Sequence, residues 1–158
     1  MKIAVGLVHY PIRDQRKNIV ATNVTNLDIH DIARACTVYG VEKYFVIHPM
    51  QDQLAFVARV LDHWRVGDGS KFNPMRKTSL SMVETAESVE AAIRQWGGEP
   101  TVVATHAREL EGVPQWTFKD LRTKLEGDPE EKLFLLFGTG FGLTEEFMKG
   151  CDALLEPI

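Results

Sequence analysis

The stretch LFGTGFGL, residues 136–143, places three alternating glycines between an apolar run and a helix-like segment. Glycine tolerates positive φ and lets another molecule approach the backbone closely. In open α/β proteins, ligands bind just beyond the carboxyl ends of the strands. Leu143 takes the place of the last glycine of a dinucleotide fingerprint, and no Gly-Lys-Ser/Thr phosphate loop follows. The stretch therefore predicts a pocket lined by backbone, with a tight structural turn as the alternative.

Two other apolar runs also end in polar residues. One leads into Thr105 and His106, and the last leads into Glu156, Pro157 and Ile158. Because ligand loops follow the carboxyl ends of parallel strands, we expect these two loops and the glycine loop to converge at one edge of a sheet. No Ser/His/Asp, Cys/His or metal-ligand spacing stands out in the sequence, so hydrolase chemistry and a metal site have little support.

A further group of polar residues follows a helical spacing. Asn26, His30 and Arg34 recur at intervals of four, on a different stripe from the apolar positions of the same segment. Asn26 is expected to cap the start of this helix and Gly40 to end it. The polar stripe is either a solvated face or an edge aimed into a cleft.

The elements that must position these residues alternate along the chain. Apolar runs predict strands at 3–8, 43–47, 101–104, 133–137 and 153–155, with a weaker candidate at 81–84. Helical spacing predicts helices at 27–39, 51–63, 88–96, 118–125 and 144–149. Unbroken apolar strands indicate a sheet covered on both faces, and their alternation with helices indicates parallel pairing. The prediction is one α/β domain over residues 1–158, with a mostly parallel sheet, helices on both faces and its longest loop at 67–77.

The composition is that of an ordinary globular protein, with 44% hydrophobic and 25% charged residues among 158. The net charge of −4 speaks against broad, sequence-blind binding of nucleic acid, but it allows local basic groups at Arg13, Arg16 and Lys17 and at 65–77. No apolar run of the sequence reaches the roughly 20 residues of a membrane span. Two distant cysteines do not suit a disulfide framework or a zinc site. We expect a cytoplasmic protein without membrane or metal partners.

Three motifs, in this order, resemble those of the SPOUT superfamily of RNA methyltransferases. NLDIHDIARACTVYGV, residues 26–41, resembles the first motif, an asparagine followed by a helix that carries an arginine and is closed by Gly-Val. LFGTGFGL resembles the second motif, and LLEPI, residues 154–158, resembles the start of the third. GLVHYP (6–11), HWR (63–65) and NPMRK (73–77) are similar to one bacterial branch of predicted S-adenosylmethionine-dependent RNA methyltransferases. The resemblance spans nearly the whole chain.

The resemblance implies a parallel sheet whose C-terminal segment forms a trefoil knot, and a bent S-adenosylmethionine held largely by backbone groups of three loops. On this sequence the implied cofactor contacts are Ala104, Thr105, His106, Gly138, Gly140, Gly142, Leu143, Leu155, Glu156 and Ile158. A homodimer whose sites are completed by the partner is also implied, and Phe141, Phe147 and Met148 offer apolar surface for it. The third motif of the superfamily continues into a further loop and helix, whereas this chain stops at Ile158, so the tail of the knot is expected to be truncated.

The function implied by the resemblance is methyl transfer from S-adenosylmethionine to a nucleotide of tRNA or rRNA. Arg34 lies where 2′-O-methylating members place an arginine implicated in catalysis, and it would orient or help deprotonate the acceptor, supported by Asn26 and His30. Candidate RNA contacts are Arg13, Arg16, Arg76 and Lys77. Two alternatives stay open: a non-catalytic RNA- or nucleotide-binding protein of the same fold, and a small-molecule enzyme on an ordinary doubly wound sheet.

Overall fold

The computed structural model describes residues 2–128 and 130–157, so Ile158, one of the predicted cofactor contacts, lies outside the described residues. The strands are β1 (Lys2–Val8), β2 (Ile12–Arg13), β3 (Ile19–Val20), β4 (Lys43–Ile47), β5 (Val83–Ala86), β6 (Thr101–Thr105), β7 (Gln115–Trp116), β8 (Lys132–Gly138) and β9 (Ala153–Leu155). The helices are α1 (Asn26–Val38), α2 (Gln51–Arg65), α3 (Gly69–Phe72), α4 (Pro74–Ser81), α5 (Val89–Trp96), α6 (Phe118–Gly127) and α7 (Glu145–Lys149).

Seven strands form one sheet in the order β5-β4-β1-β8-β6-β9-β7. Each pair of neighbours in this sheet is parallel. The carboxyl ends of β8, β6 and β9 therefore lie side by side at one edge of the sheet, and the loops that follow them converge there as the sequence predicts. The remaining strands, β2 and β3, pair antiparallel with each other as a hairpin.

The central strands are buried on both faces. Tyr44 and Phe45 are neighbours in β4 and are both fully buried, although successive side chains of a strand point to opposite faces. Phe45 packs against Phe134 on one face, with ring centroids 5.7 Å apart. Tyr44 packs with Ile29 of α1 on the other face. Burial on both faces explains why the strands appear in the sequence as unbroken apolar runs.

The predicted elements are present, and their ends lie within two residues of the predicted positions. The start of α1 differs in its cap, because the N-cap is Thr25 and Asn26 is the first helical residue. The Thr25 hydroxyl accepts from the N–H of Asp28 at 3.2 Å, and the Asp28 carboxylate accepts from the N–H of Thr25 at 2.7 Å. Threonine and asparagine are both good caps, but only Thr25 has an acidic residue three positions later to complete a capping box.

The predicted loop at 67–77 is wrong, because this stretch forms α3 and the first half of α4. The side chain of Asn73 caps α4, and Pro74 takes the first helical position, where a missing N–H leaves no bond unmade. At the other end of α4, the Arg65 guanidinium of α2 donates to the Leu80 carbonyl at 2.7 Å and satisfies a group that the helix leaves free. Glycine and proline in this stretch mark the ends of helices and not an open loop.

Candidate functional site

A cleft of about 1040 Å³ opens at the carboxyl ends of β8, β6 and β9. Seven of the predicted cofactor contacts line it: Thr105, His106, Gly138, Gly140, Gly142, Leu155 and Glu156. These residues come from three loops that are far apart in the sequence and that the strand order places next to one another. The arrangement gives a concave site in which much of the lining is backbone.

Two predicted contacts lie behind the cleft. Ala104 is fully buried in β6, between Leu136 of β8 and Leu154 of β9. Leu143 is buried beneath the glycine loop, where its Cγ would lie 2.9 Å from a Cβ atom added at Gly138. Both residues shape the loops from below, and their side chains do not line the cleft.

The glycines of the loop face different neighbours. Gly140 and Gly142 have φ values of +54° and +96°, which residues with a side chain rarely adopt. A Cβ atom at Gly140 would lie 3.3 Å from Cγ2 of Ile12 in the hairpin, whereas one at Gly142 would lie 3.5 Å from Nδ1 of His106. Gly140 therefore accommodates the hairpin, and Gly142 keeps open the side of the loop that faces His106.

The hairpin β2–β3, which the sequence analysis did not predict, forms one wall of the cleft. Its backbone is joined to the glycine loop, because the Arg13 N–H donates to the Gly142 carbonyl at 2.9 Å. Ile12, fully buried, forms an antiparallel bridge with Leu143. The position of the hairpin is thus fixed by the same loop that lines the floor of the site.

The turn of the hairpin brings charged side chains to the cleft, where Arg13, Asp14 and Lys17 line the wall. The Asp14 carboxylate accepts from the N–H of Asn18 at 2.7 Å and closes the turn, while the Arg13 guanidinium donates to the Lys17 carbonyl at 2.6 Å. Arg16, at the tip of the turn, is exposed. The signal in the sequence was an aspartate and an asparagine around basic residues, a pattern typical of turns closed by side chains.

A buried polar network lies beside the glycine loop. His9 and His48 follow β1 and β4 and are 0% and 1% exposed. His9 Nδ1 lies 3.0 Å from the Thr22 hydroxyl, which is also hydrogen-bonded to the hydroxyl of Thr139 in the glycine loop. Burial lowers the pKa of His9 to about 4, so its ring is neutral at pH 7. Sequence analysis missed this network because single histidines and threonines carry no spacing signal.

The predicted catalytic residues Asn26, His30 and Arg34 lie on α1, outside the cleft of their own chain. Arg34 is exposed and forms an ion pair with Asp31 at 3.0 Å. His30 is half-buried, with its ring edge-on to Trp64 of α2 and the ring centroids 5.7 Å apart. Within one chain, the structure does not bring these residues to the predicted cofactor contacts.

Three helices bring the predicted catalytic residues His30 and Arg34 close to Arg76, one of the predicted RNA contacts. The Arg76 guanidinium of α4 lies over the Trp64 ring, 4.4 Å from its centroid, in a cation–π contact. Burial lowers the pKa of His30, and the nearby positive charges of Arg76 and Arg34 lower it further. Lys77 is exposed on α4. His30, Arg34, Trp64 and Arg76 are called the α1–α4 cluster below.

The apolar side chains expected at a subunit interface differ in exposure. Phe141 is 60% exposed and lines the cleft. Met148 is fully buried in the core, with Phe147 packed against that core. Met148 therefore offers no surface to a partner, since α7 turns it toward the sheet.

In the part of the chain that the structure describes, no group of three or more His, Cys, Asp or Glu residues is arranged to hold a metal ion. Over the same residues, each helix is too short or too polar to cross a membrane.

Sequence comparison relates the chain to RNA-modifying proteins. A family described as SAM-dependent RNA methyltransferase matches residues 2–158. The chain is 42% identical over 157 residues to a tRNA (guanine-N(1)-)-methyltransferase of Nitratidesulfovibrio vulgaris (strain Hildenborough), covering 97% of this chain and 36% of that protein. It is 31% identical over 160 residues to an uncharacterized protein of Aquifex aeolicus (strain VF5), covering 99% and 77% respectively. The chain thus spans about a third of the length of the curated methyltransferases that it matches.

Structural comparison relates its fold to that of a solved protein. The crystal structure of TrmJ from Z. mobilis ZM4 superposes with a TM-score of 0.62 at 14% identity, covering 99% of this chain and 58% of that one. At this identity the likeness concerns the fold alone.

Proposed function

We propose that this chain, which belongs to the S-adenosylmethionine-dependent RNA methyltransferase family, transfers a methyl group from S-adenosylmethionine to a nucleotide of RNA. The observation that carries the proposal is the cleft formed by three loops at the carboxyl ends of adjacent parallel strands, where α/β proteins bind their ligands. S-adenosylmethionine supplies a reactive methyl group on a positively charged sulfur. The protein's own task is then to hold donor and acceptor in line.

The cleft fits such a donor in size and lining. Its volume of about 1040 Å³ lies at the upper end of small-molecule sites and leaves room for an acceptor base beside the donor. Leu135, Phe137 and Phe141 give it an apolar wall. The proposed contacts are Thr105, His106, Gly138, Gly140, Gly142, Leu155 and Glu156, with Ala104 and Leu143 supporting them and Ile158 as the remaining predicted contact.

The proposed acceptor is guanine N1 of a tRNA, because two curated relatives, 42% and 39% identical, carry that activity in their names. The N1–C bond forms as the S–CH3 bond of the donor breaks, S-adenosylhomocysteine leaves, and the N1 proton passes to water. As that proton leaves ahead of methyl transfer, negative charge gathers on the base and needs a positive partner. Arg34 is proposed to orient the base and to stabilise this charge, with Asn26 and His30 holding it in place.

The proposed assembly is a homodimer in which the α1–α4 cluster of one copy completes the cleft of the other. This arrangement reconciles the exposed Arg34 with a catalytic role, since Arg34 lies outside the cleft of its own chain. Two-fold dimers are the commonest soluble assembly. Val38 and Tyr39, at the end of α1, are 78% and 81% exposed and give the interface apolar surface. The C-terminal trefoil knot stays a prediction.

The proposed RNA contacts come from both sides of this composite site. Arg13 lines the cleft and Arg16 lies at the tip of the hairpin turn, while Arg76 and Lys77 lie on α4. A guanidinium stacked on Trp64 presents a flat cation, which suits unstacked bases and phosphates of single-stranded or structured RNA. The proposed location is the cytoplasm.

Transfer of tritium from labelled S-adenosylmethionine to total RNA tests the reaction, and mass spectrometry of the digested nucleosides identifies the modified base. We expect label in 1-methylguanosine. Donor binding without transfer to any RNA would support the alternative of a non-catalytic RNA- or nucleotide-binding protein. Binding of NAD in preference to S-adenosylmethionine would support the small-molecule enzyme instead.

A further inference from the structure

An unbroken chain of side-chain hydrogen bonds runs from the core to the cleft. It begins at His9, which is fully buried directly after β1 and whose Nδ1 lies 3.0 Å from the Thr22 hydroxyl. The Thr22 hydroxyl is hydrogen-bonded in turn to the hydroxyl of Thr139. Thr139 belongs to the glycine loop and lines the cleft. The buried imidazole is therefore two hydrogen bonds away from the wall of the ligand site.

The backbone around the middle member of this chain is held from two sides. His48 Nδ1 accepts from the N–H of Met50 at 3.0 Å, so its other nitrogen, Nε2, carries the proton and donates to the Thr22 carbonyl at 3.0 Å. The Thr22 N–H donates to the His9 carbonyl at 3.0 Å. With its backbone fixed in this way, Thr22 holds its hydroxyl between His9 and Thr139.

The ring nitrogen of His9 that carries the proton determines which group donates in each hydrogen bond of this series. Its Nε2 is buried and has no hydrogen-bond partner among the residues that the structure describes. A buried N–H without a partner is rarer than a buried acceptor without one, so the proton belongs on Nδ1. His9 then donates to the Thr22 hydroxyl. Among the described residues Thr139 is the only other hydrogen-bond partner of that hydroxyl, so the Thr22 proton is directed to Thr139. The Thr139 oxygen is thereby an acceptor toward Thr22, and its own proton is left for the cleft.

We infer that His9 is a positioning residue which, through Thr22, fixes the Thr139 hydroxyl as a hydrogen-bond donor to the ligand of the cleft. Such a donor favours a ligand that places a hydrogen-bond acceptor at this point of the glycine loop. S-adenosyl compounds have acceptor atoms in their carboxylate, ribose and adenine groups. The inference rests on the proposed function for the identity of that ligand. The direction of the hydrogen bonds can be tested without it.

Nitrogen-15 NMR of the imidazole rings tests the direction. In the full chain, we expect the proton of His9 on Nδ1 and that of His48 on Nε2, so the two buried rings give opposite patterns in one spectrum. The variant His9→Asn identifies the signals of His9 by their loss. A proton found on Nε2 of His9 would overturn the inference whatever the chain binds.

Calorimetric titration with S-adenosylhomocysteine tests the consequence for the ligand. Thr139→Val is expected to weaken binding about tenfold, as for the loss of one hydrogen bond, while Thr139→Ser keeps the affinity. Thr22→Val should weaken binding in the same direction. The double variant should bind no more weakly than Thr139→Val alone, because the two hydroxyls act in series. Thr123→Val, which removes an exposed hydroxyl from α6, serves as the matched control.

The outcomes separate this inference from the proposed function. If the wild-type chain binds S-adenosylhomocysteine and Thr139→Val binds equally well, the inference fails and the proposed function stands. Additive losses in the double variant would also overturn it, since they would mark two independent structural effects. If the wild-type chain binds no S-adenosyl compound, the proposed function fails, and the NMR measurement alone decides the direction of the hydrogen bonds.

Discussion

The glycine-loop cleft and the α1–α4 cluster present polar groups by different means. The cleft depends on backbone, since Gly140 and Gly142 have positive φ and the hairpin holds the loop by its own main chain. The cluster depends on side chains, since His30 and Arg76 are both arranged around Trp64. We therefore expect that adding a side chain damages the cleft and that removing one damages the cluster.

The largest effect is expected from Gly142→Val, which should remove detectable binding of S-adenosylmethionine in calorimetry. The new side chain would point toward His106, into the space that the loop keeps open. Gly112→Val is the matched control, because Gly112 also has a positive φ, +82°, but an added Cβ atom there meets nothing within 4 Å. Equal affinities of the two variants would remove the cleft from consideration as the donor site.

Arg34→Ala tests the cluster and should lower methyl transfer by ~100-fold or more, with little change in donor affinity. Arg59→Ala, on the exposed surface of α2, is the control and should keep wild-type turnover. Near-wild-type activity of Arg34→Ala would mean that this arginine belongs to a solvated face.

Mixing inactive Arg34→Ala and Gly142→Val chains tests whether the cleft of one copy and the cluster of another form one active site. In a dimer with shared sites, random mixing makes half of the dimers mixed, and each mixed dimer has one intact site, so about a quarter of the wild-type activity should return. Activity that stays at the level of the separate variants would place both regions of a site in the same chain.

A smaller effect is expected from Arg76→Ala, which should weaken RNA binding about tenfold, because it removes a partly desolvated cation that stacks on Trp64 and is proposed to bind phosphate. The change should appear in KM for RNA and leave kcat nearly unchanged. Lys124→Ala removes a comparable cation from the ring of Trp116 near α6, at 5.5 Å, and is the matched control. Equal losses in both variants would indicate a general effect of charge.

The last prediction concerns stability against pH and compares a histidine from each region. The His9 pKa falls from 6.5 to about 4 on folding, chiefly through burial, with Asp28 opposing the shift and His48 adding to it. Between these values the unfolded chain binds a proton that the folded chain does not. Above pH 6.5 His9 is neutral in both states, and its burial costs no protonation free energy. As the pH falls toward 4, the unfolded state is favoured by proton binding, and the free energy of unfolding decreases by up to about 3 kcal/mol.

Urea unfolding at pH 7 and pH 4.5 measures this loss. His9→Asn should make stability less dependent on pH over this range, whereas His30→Asn should change it less, because His30 is only half-buried. The opposite ranking would show that the buried network does not hold His9 neutral.

The family, the parallel α/β fold and the convergence of three loops were predicted from the sequence and are confirmed. Unbroken apolar runs predict the bounds of strands such as β4 and β9 closely. A strand buried on both faces is apolar along nearly its whole length, so the change to polar residues marks its ends. The stretch 67–77 was predicted wrongly because Pro74 and the glycines were taken for loop residues. The Asn73 cap before Pro74 is a local signal that the sequence already contains, whereas the contact of Arg65 with the far end of α4 depends on tertiary structure.

The sequence predicted the loops that line the candidate site, but it did not predict the hairpin that forms its wall. Glycine spacing points to the floor of the cleft, but two-residue strands such as β2 and β3 are too short for a periodic pattern. The hydrogen bond between Thr22 and Thr139 joins residues that are 117 positions apart, a relation that no local pattern contains. The placement of Arg34 outside its own cleft likewise depends on how α1 packs.

The junction between the hairpin and the glycine loop has a consequence for motion. Moving the hairpin away by itself would break the bond from the Arg13 N–H to the Gly142 carbonyl and expose the buried Ile12, so we expect hairpin and loop to open together as one cooperative unit. A molecule held in the cleft favours the closed form of both. We therefore expect amide hydrogens of the two segments to exchange with solvent together, and filling the site to slow their exchange by a common factor.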